Sequence, residues 1–188
     1  MKLYLVRHGQ TDWNAAMKPQ GRSDIPLNEV GIRQARGLVD KINELELDGV
    51  YSSPLCRAYE TAKIITDGKH KIIVDELLTE RGFGTLEGTR APVDWKKYWQ
   101  LNYVGDVEGM ESLAEVFART RLFLDKLKQN HSADAKILIV GHGGSLKTLY
   151  YNIVGYDENT DFLSLHFNNS EIKECDYDNK RDSKTDLR

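Results

Sequence analysis

The stretch LYLVRHG, residues 3–9, has a counterpart much later in the chain in KILIVGHGG, residues 136–144. In each, a short apolar run containing β-branched residues ends at a histidine followed by glycine. A run of that length and composition, closed by a glycine turn, reads as a buried strand. In open α/β sheets ligands bind beyond the carboxyl ends of the strands. His8 and His142 are therefore expected at equivalent places, over one pocket. Gly9 and Gly143 let backbone approach a ligand there. A helix beginning after Gly144 would aim its N-terminal amides at the same spot, which suits an anion.

Between these two runs, strand and helix patterns alternate. Residues 27–45 place Ile32, Ala35, Leu38, Val39, Ile42 and Leu45 at helical spacing, with Asn28 as N-cap. Gly49–Ser52 predicts a second strand, Leu55–Thr66 a helix after Pro54, and Lys71–Val74 a third strand. Ser112 and Glu115 have capping-box spacing at the start of a helix with Leu113, Val116, Phe117, Leu124 and Leu127 on one face. A helix follows from Ser145 to about Val154. Phe162–Phe167 and Glu171–Tyr177 read as a closing strand pair turning at Asn168-Asn169-Ser170. This order predicts an α/β fold, a three-layer α/β/α sandwich around a mostly parallel sheet. No internal repeat or polar linker marks a boundary, so residues 1–178 are read as one domain. The charged segment 179–188 is read as a frayed tail.

The chain has 188 residues, 40% of them hydrophobic, and a formal net charge of -3. That balance carries no basic excess of the kind nucleic-acid binding needs. The N-terminal apolar stretch is too short for a signal-peptide core or a membrane span. Two cysteines, Cys56 and Cys175, imply no disulfide framework and suit a reducing cytoplasm. Nothing in the sequence sets an oligomeric state.

A third segment, YSSPLCR at residues 51–57, also follows a predicted strand and puts Arg57 on the first turn of a helix at the same sheet edge. Arginine's planar fork can bond two phosphate oxygens at once. Arg7, Arg57 and two histidines would make a compact positive pocket in a net-acidic protein.

Together with these residues, the stretches LVRHGQTDWN, QGRSDIPLNEVGIRQA, YSSPLCRAYETA, TERGFGTLEG, GMES and IVGHGG resemble, in order, the histidine phosphatase superfamily, which includes cofactor-dependent phosphoglycerate mutases and many small phosphatases. They cover most of the chain from residue 3 to residue 155. The resemblance implies that His8 attacks phosphorus and becomes a phosphohistidine. It implies that Arg7, Arg57 and His142 hold phosphoryl oxygens, with Asn14, Gln20, Gly21 and Gly143 as further contacts. Glu80 is implied as the acid that protonates the leaving oxygen and later activates water. Glu76 and Glu87 lie nearby, and the motif is what favours Glu80 over them. Neither metal nor cofactor is implied, because the arginines supply the positive charge. The reading is a phosphatase of a small phosphorylated metabolite. A phosphoglycerate mutase is the alternative, and a phosphate-recognising or phosphoprotein-directed protein a further one. Only residues 88–109 fill the interval in which mutases carry a longer insertion, which favours transfer to water.

The chemistry fits that division. Phosphoryl transfer rests mainly on positioning and on stabilising charge spread over equatorial oxygens. Neighbouring arginines disfavour a charged imidazole and keep a nitrogen lone pair available. A phosphate dianion beside a carboxyl favours its acid form, which suits protonation of an alkoxide.

Residues 88–111 are read as a lid insertion, with a short helix from Asp94 to Leu101. Its aromatics Trp95, Tyr98, Trp99 and Tyr103 are expected to pack on the core, and at least one of Arg90, Lys96 and Lys97 to face substrate. His70, His131 and His166 are read as surface or packing residues. Cys175 and Arg181 have the Cys-x₅-Arg spacing of cysteine-dependent phosphatases, but Asp176 and Asp178 lie between them and would repel phosphate.

Overall fold

Strand β1 (Lys2–Arg7) and strand β4 (Lys136–Gly141) pair in parallel at the centre of a five-stranded sheet. The structure is a computed structural model, described over residues 1–90, 94–103 and 105–177. Strand β2 (Gly49–Ser52), strand β3 (Ile72–Val74) and strand β5 (Ile172–Asp176) complete the order β3-β2-β4-β1-β5. All neighbours are parallel except β5, which runs antiparallel along β1.

The apolar runs are buried on both faces because helices cover both. Leu3, Leu5, Ile137 and Ile139 face one core, with Phe123, Leu124 and Leu127 of α5 (Leu113–Asn130) and Leu146 and Leu149 of α6 (Gly143–Val154). The alternate residues Tyr4, Val6, Leu138 and Val140 face the other. They meet Ala35 of α2 (Glu29–Arg36), Ile42 of α3 (Val39–Asn43) and Ala58, Ala62 and Ile65 of α4 (Cys56–Ile65). Period-two alternation thus splits each central strand between two cores. The three-layer, mostly parallel α/β architecture expected from the sequence is the one observed. A short helix α1 (Asp12–Ala15), capped by Thr11, follows the His8 turn. Among the described residues no helix is long and apolar enough to cross a membrane.

Three local readings change. The helix expected over 27–45 is two, α2 and α3. At Gly37 and Leu38 ψ opens to -11°, and Leu38 N–H bonds Ala35 O, three residues back. Poor helix propensity at Gly37 makes that the natural break. The segment from Asp94 to Leu101 forms a 3₁₀ helix, Trp95–Trp99. Residues 162–167 are not a strand. Phe162 and Phe167 point inward, and the Phe167 carbonyl accepts a hydrogen bond from Arg7 Nη1 at 2.7 Å. The β1 edge this segment could have joined is taken by β5. The turn at 168–170 does form and returns onto β1 through Ser170 N–H to Arg7 O at 3.0 Å. The tail at 179–188, residues 91–93 and Val104 of the 88–111 segment, and Arg181 lie outside the described residues. Cys175 sits in β5, where burial pushes its thiol up to about 12, away from nucleophilic character.

Candidate active site

The β1–β4 register sets the geometry. Arg7 pairs with Gly141, so the next residues, His8 and His142, leave the sheet side by side. His8 N–H bonds Gly141 O at 3.0 Å, and the two imidazole centroids are 5.1 Å apart. The His8 turn is further held by Gly9 N–H to Thr61 Oγ1 at 3.0 Å.

His8 Nδ1 lies 2.7 Å from Gly9 O. A carbonyl can only accept, so Nδ1 carries the proton and Nε2 keeps its lone pair. Burial, then Arg57 and Arg7, pull His8 well below the usual imidazole range, against a small opposing effect of the Gly9 bond. His142 is lowered likewise, by burial, then Arg57, His8 and Arg7. Both rings are therefore neutral. His142 Nε2 is 2.8 Å from Ser53 Oγ, while its buried Nδ1 has no partner.

Arg57 is fully buried, with Nη1 and Nη2 donating to Ser23 O and Gly21 O at 2.7 and 2.8 Å. Burial lowers both Arg7 and Arg57, with Glu80 opposing, yet a guanidinium stays charged in proteins. Neither has a carboxylate within ion-pair distance among the described residues, and the Nε atom of each is buried without a partner. Positive charge has been gathered here with Glu80 as a neighbour but with no direct ion pair among the described residues.

Glu80 is the acid that reaches this place. Its Oε1 accepts from Arg81 N–H at 2.8 Å and Ser145 N–H at 3.1 Å, and its Oε2 from Gly144 N–H at 3.1 Å. The carboxyl thus sits against the first turn of α6 and is held in place by its amides. A Cβ on Gly144 would lie 2.4 Å from Glu80 Oε1, so only glycine admits the carboxyl. Glu76 is exposed. Glu87 is committed elsewhere: it accepts from Arg22 and Ser23 N–H and from Phe83 N–H, tying down the loop after Gln20. A Cβ on Gly21, whose φ is +50°, would lie 1.9 Å from Glu87 Oε1.

A cavity of about 300 Å³ opens over His8. Arg7, Arg57, Asn14, Gln20, Gly21, Glu80 and Gly143 line it with His8; fully buried His142 lies against His8, off the wall. Asn14 Oδ1 accepts from Thr11 N–H and Asn169 Nδ2, and Gln20 Oε1 from Thr11 Oγ1, which leaves each amide nitrogen for the cavity. Residues that the sequence reading did not single out complete the wall: Lys147, Lys18, Phe83, Leu163, Leu165 and Phe167. His166, read as bystander, is exposed but stands at the mouth. Trp95 and Trp99 face the cavity while packing with Phe83, Leu113, Phe117 and Phe162, so the packing reading of the aromatics holds for them. The expectation for the basic residues beside them does not hold. Arg90 and Lys96 are exposed and off the cavity, and Lys97 pairs with Asp106 at 3.0 Å. The added ammonium comes instead from Lys147, three residues after Gly144 and so on its face of α6.

The mostly parallel sheet of this α/β protein thus ends in a cavity where two imidazoles, two guanidiniums without an ion-paired carboxylate and one carboxyl come together. The chain belongs to the histidine phosphatase superfamily (branch 1), whose sequence model matches residues 3–187. It is 37% identical over 174 residues to the uncharacterized phosphatase PhoE of Bacillus subtilis, covering 90% of this chain and 88% of that one. It is 34% identical to the probable phosphoglycerate mutase GpmB of Yersinia pestis, covering 94% of this chain and 85% of that one. A phosphoserine phosphatase from Entamoeba histolytica, solved in complex with 3-phosphoglyceric acid, superposes with a TM-score of 0.78 at 33% identity, over 92% of this chain and 89% of that one.

Proposed function

We propose that this protein is a metal-independent phosphatase that hydrolyses a small phosphomonoester through a phosphohistidine on His8. The observation that carries this reading is the set of four basic side chains, Arg7, His8, Arg57 and His142, gathered without a paired carboxylate. A phosphate dianion supplies the missing charge.

In the first step the lone pair of His8 Nε2 attacks phosphorus in line with the ester oxygen. The P–O bond breaks as Glu80 gives its proton to that oxygen, and the alcohol leaves. In the second step Glu80 takes a proton from water, the water oxygen attacks phosphorus, and the P–N bond breaks. Inorganic phosphate leaves and Nε2 regains its lone pair. The Gly9 carbonyl holds Nδ1–H throughout and stabilises the charge that develops on the ring. Arg7, Arg57, Asn14, Gln20 and the Gly21 and Gly143 backbone contact phosphoryl oxygens, with the unpartnered His142 Nδ1 as one further donor.

The name of the Yersinia relative favours a second reading, a phosphoglycerate mutase, which shares the first step. Phosphate release from 3-phosphoglycerate and from an aryl phosphate, measured beside isomer interconversion, separates the two. Release without interconversion is expected, and sustained interconversion without release would make the mutase reading correct. His8→Ala should lower aryl phosphate turnover by at least about 10³-fold, as loss of a nucleophile does. EDTA should leave the rate unchanged, and loss of activity on chelation would sink the metal-independent mechanism.

A further inference from the structure

The stretch GMES, residues 109–112, contributes nothing to the cavity wall. Its glutamate is nonetheless committed. Arg119 of α5 donates to Glu111 through both arms of its fork, Nε to Oε1 at 2.8 Å and Nη2 to Oε2 at 3.1 Å. Both side chains are largely buried, Glu111 10% and Arg119 12% exposed. A fork-to-fork pair of this kind fixes direction as well as distance. What it is aimed at is the chain on either side of Glu80.

That chain needs support from outside. β3 ends at Val74, a single 3₁₀ turn covers Glu76–Leu78, and residues 79–82 belong to no helix or strand. No ladder of backbone bonds therefore sets where Glu80 stands. On the upstream side Arg119 Nη1 donates to Leu77 O at 2.7 Å. On the downstream side Glu111 holds Gly82 twice: its Oε2 accepts from Gly82 N–H at 3.2 Å, and its own N–H donates to Gly82 O at 2.9 Å. The Glu111 carbonyl also accepts from Arg81 Nε at 2.8 Å. The pair thus grips the segment at Leu77 and at Gly82, with Glu80 between the two grips.

We infer that Glu111 and Arg119 are positioning residues for proton transfer: together they bracket segment 77–82 and so set where the Glu80 carboxyl stands in the cavity. The inference rests on the phosphatase reading and adds the device that aims its acid. The amides of Gly144 and Ser145 orient the carboxyl at 3.1 Å each, and they reach it only if the backbone delivers it there. A misplacement of about 1 Å at a reacting group costs on the order of 10² in rate. Arg22 Nη2 also lies 3.1 Å from Glu111 Oε1, but its side chain is 55% exposed and water screens that pair. A role confined to anchoring α5 would call for the bond between Arg119 and Glu111, and not for those to Leu77 O and Gly82 N–H.

The test compares alkyl esters, 3-phosphoglycerate and glycerol 3-phosphate, with 4-nitrophenyl phosphate, whose leaving group needs no proton. It is run on the wild type, Glu111→Gln, Glu80→Gln and the double variant, with Tm read for each. Glu111→Gln keeps an acceptor oxygen but loses the charged fork. It should lower kcat on the alkyl esters by about 10- to 100-fold with KM within about twofold, and lower aryl turnover by no more than about threefold. In the Glu80→Gln background it should cost nothing further on the alkyl esters, because the group it positions is already inert. Arg119→Lys keeps the charge and gives up the fork, and should repeat the pattern at smaller amplitude. Equal loss on both kinds of ester, or a loss that recurs in full in the Glu80→Gln background, would show that the pair only supports the fold and would overturn the inference. An unchanged alkyl rate in Glu111→Gln would overturn it too, as would a wild type that turns over the aryl ester alone. Each of these outcomes leaves the phosphatase reading intact, whereas no turnover of any ester by the wild type would overturn both.

Discussion

The inner and outer halves of the cavity are built by different means. The inner half, Arg7, His8, Arg57 and His142, stands at the ends of β1 and β4 and the start of α4. A ladder of backbone hydrogen bonds fixes it, so one register decides which side chains meet. The outer half, Phe83, Trp95, Trp99 and residues 163–167, comes from 3₁₀ turns and irregular chain held by single side chains. Arg81 is the main tie. Fully buried, it donates to Tyr98 O and Glu111 O and lies 5.5 Å from the centre of the Trp99 ring. The difference teaches that attack on phosphorus and recognition of the alcohol are separable here. Glu80 is the hinge between them, since its neighbour Arg81 anchors the outer half while its carboxyl sits on α6.

The largest effects should come from the inner half and be blind to the alcohol. His8→Ala should reduce every ester alike, and a loss confined to some esters would break the division. Glu80→Gln should cost about 10²–10⁴ in kcat on an alkyl phosphate, and far less on 4-nitrophenyl phosphate, whose leaving group needs no proton. Gly144→Ala offers a sharper version. The added methyl would lie 2.4 Å from Glu80 Oε1 and 3.3 Å from the edge of the Trp99 ring, side chains and not backbone, so the main displacement falls on the Glu80 carboxyl. Helix propensity even favours alanine by up to about 1 kcal/mol. The variant should therefore keep its Tm while repeating the alkyl-against-aryl pattern of Glu80→Gln. Equal loss on both esters would place Glu80 outside the proton transfer.

The same contrast explains what was legible in the sequence. The strands with their HG endings were readable because both core faces are apolar and the turn chemistry is local. Parallel register then carried two distant histidines into contact, and strand order was the only unknown. Lys147 was harder to find because its helix reads as an ordinary buried one, and nothing local distinguishes a lysine facing a cavity from one reaching solvent. Counting three residues on from Gly144 was the available signal. The outer segment had no period to read. Its conformation depends on Arg81, Glu87 and Glu111 reaching distant backbone, and such contacts leave no trace in spacing. The 162–167 segment misled for a related reason: its carbonyl serves Arg7 instead of a ladder.

An intermediate effect tests whether the inner half is as dry and neutral as its geometry says. His8 and His142 have folded-state values well below the unfolded value near 6.5, so the unfolded chain takes up protons first as pH falls. Their contribution to stability is full above about pH 6.5 and declines below it. Each histidine gives a slope of up to about 1.4 kcal/mol per pH unit. The carboxylates held low, such as those of Glu115 and Glu171, lose their share only below about 4.5. Urea unfolding between pH 6.5 and 5, without phosphate, should show the slope, and His8→Gln should flatten it by about half. An unchanged slope in that variant would mean that the ring is hydrated and charged.

The smallest effect asks whether the outer half is mechanically separate from the framework that carries it. Chain from the outer segment rejoins the layers at Ser112, the N-cap of α5, whose Oγ accepts from Glu115 N–H at 3.2 Å while Glu115 Oε2 accepts from Ser112 N–H at 2.7 Å. Removing the hydroxyl in Ser112→Ala should cost about 1 kcal/mol. In a chain of this size that is roughly 2–4 °C in Tm. Phe117 of α5 packs in the same aromatic cluster as Trp99, so a loosened α5 has a route to the cavity wall. If Arg81 rather than α5 sets the position of Trp99, the ratio of kcat/KM on bulky to small alkyl phosphates should survive the lower Tm. A ratio that falls along with Tm would show that the outer wall takes its shape from α5, and the cavity would then have to be treated as one unit.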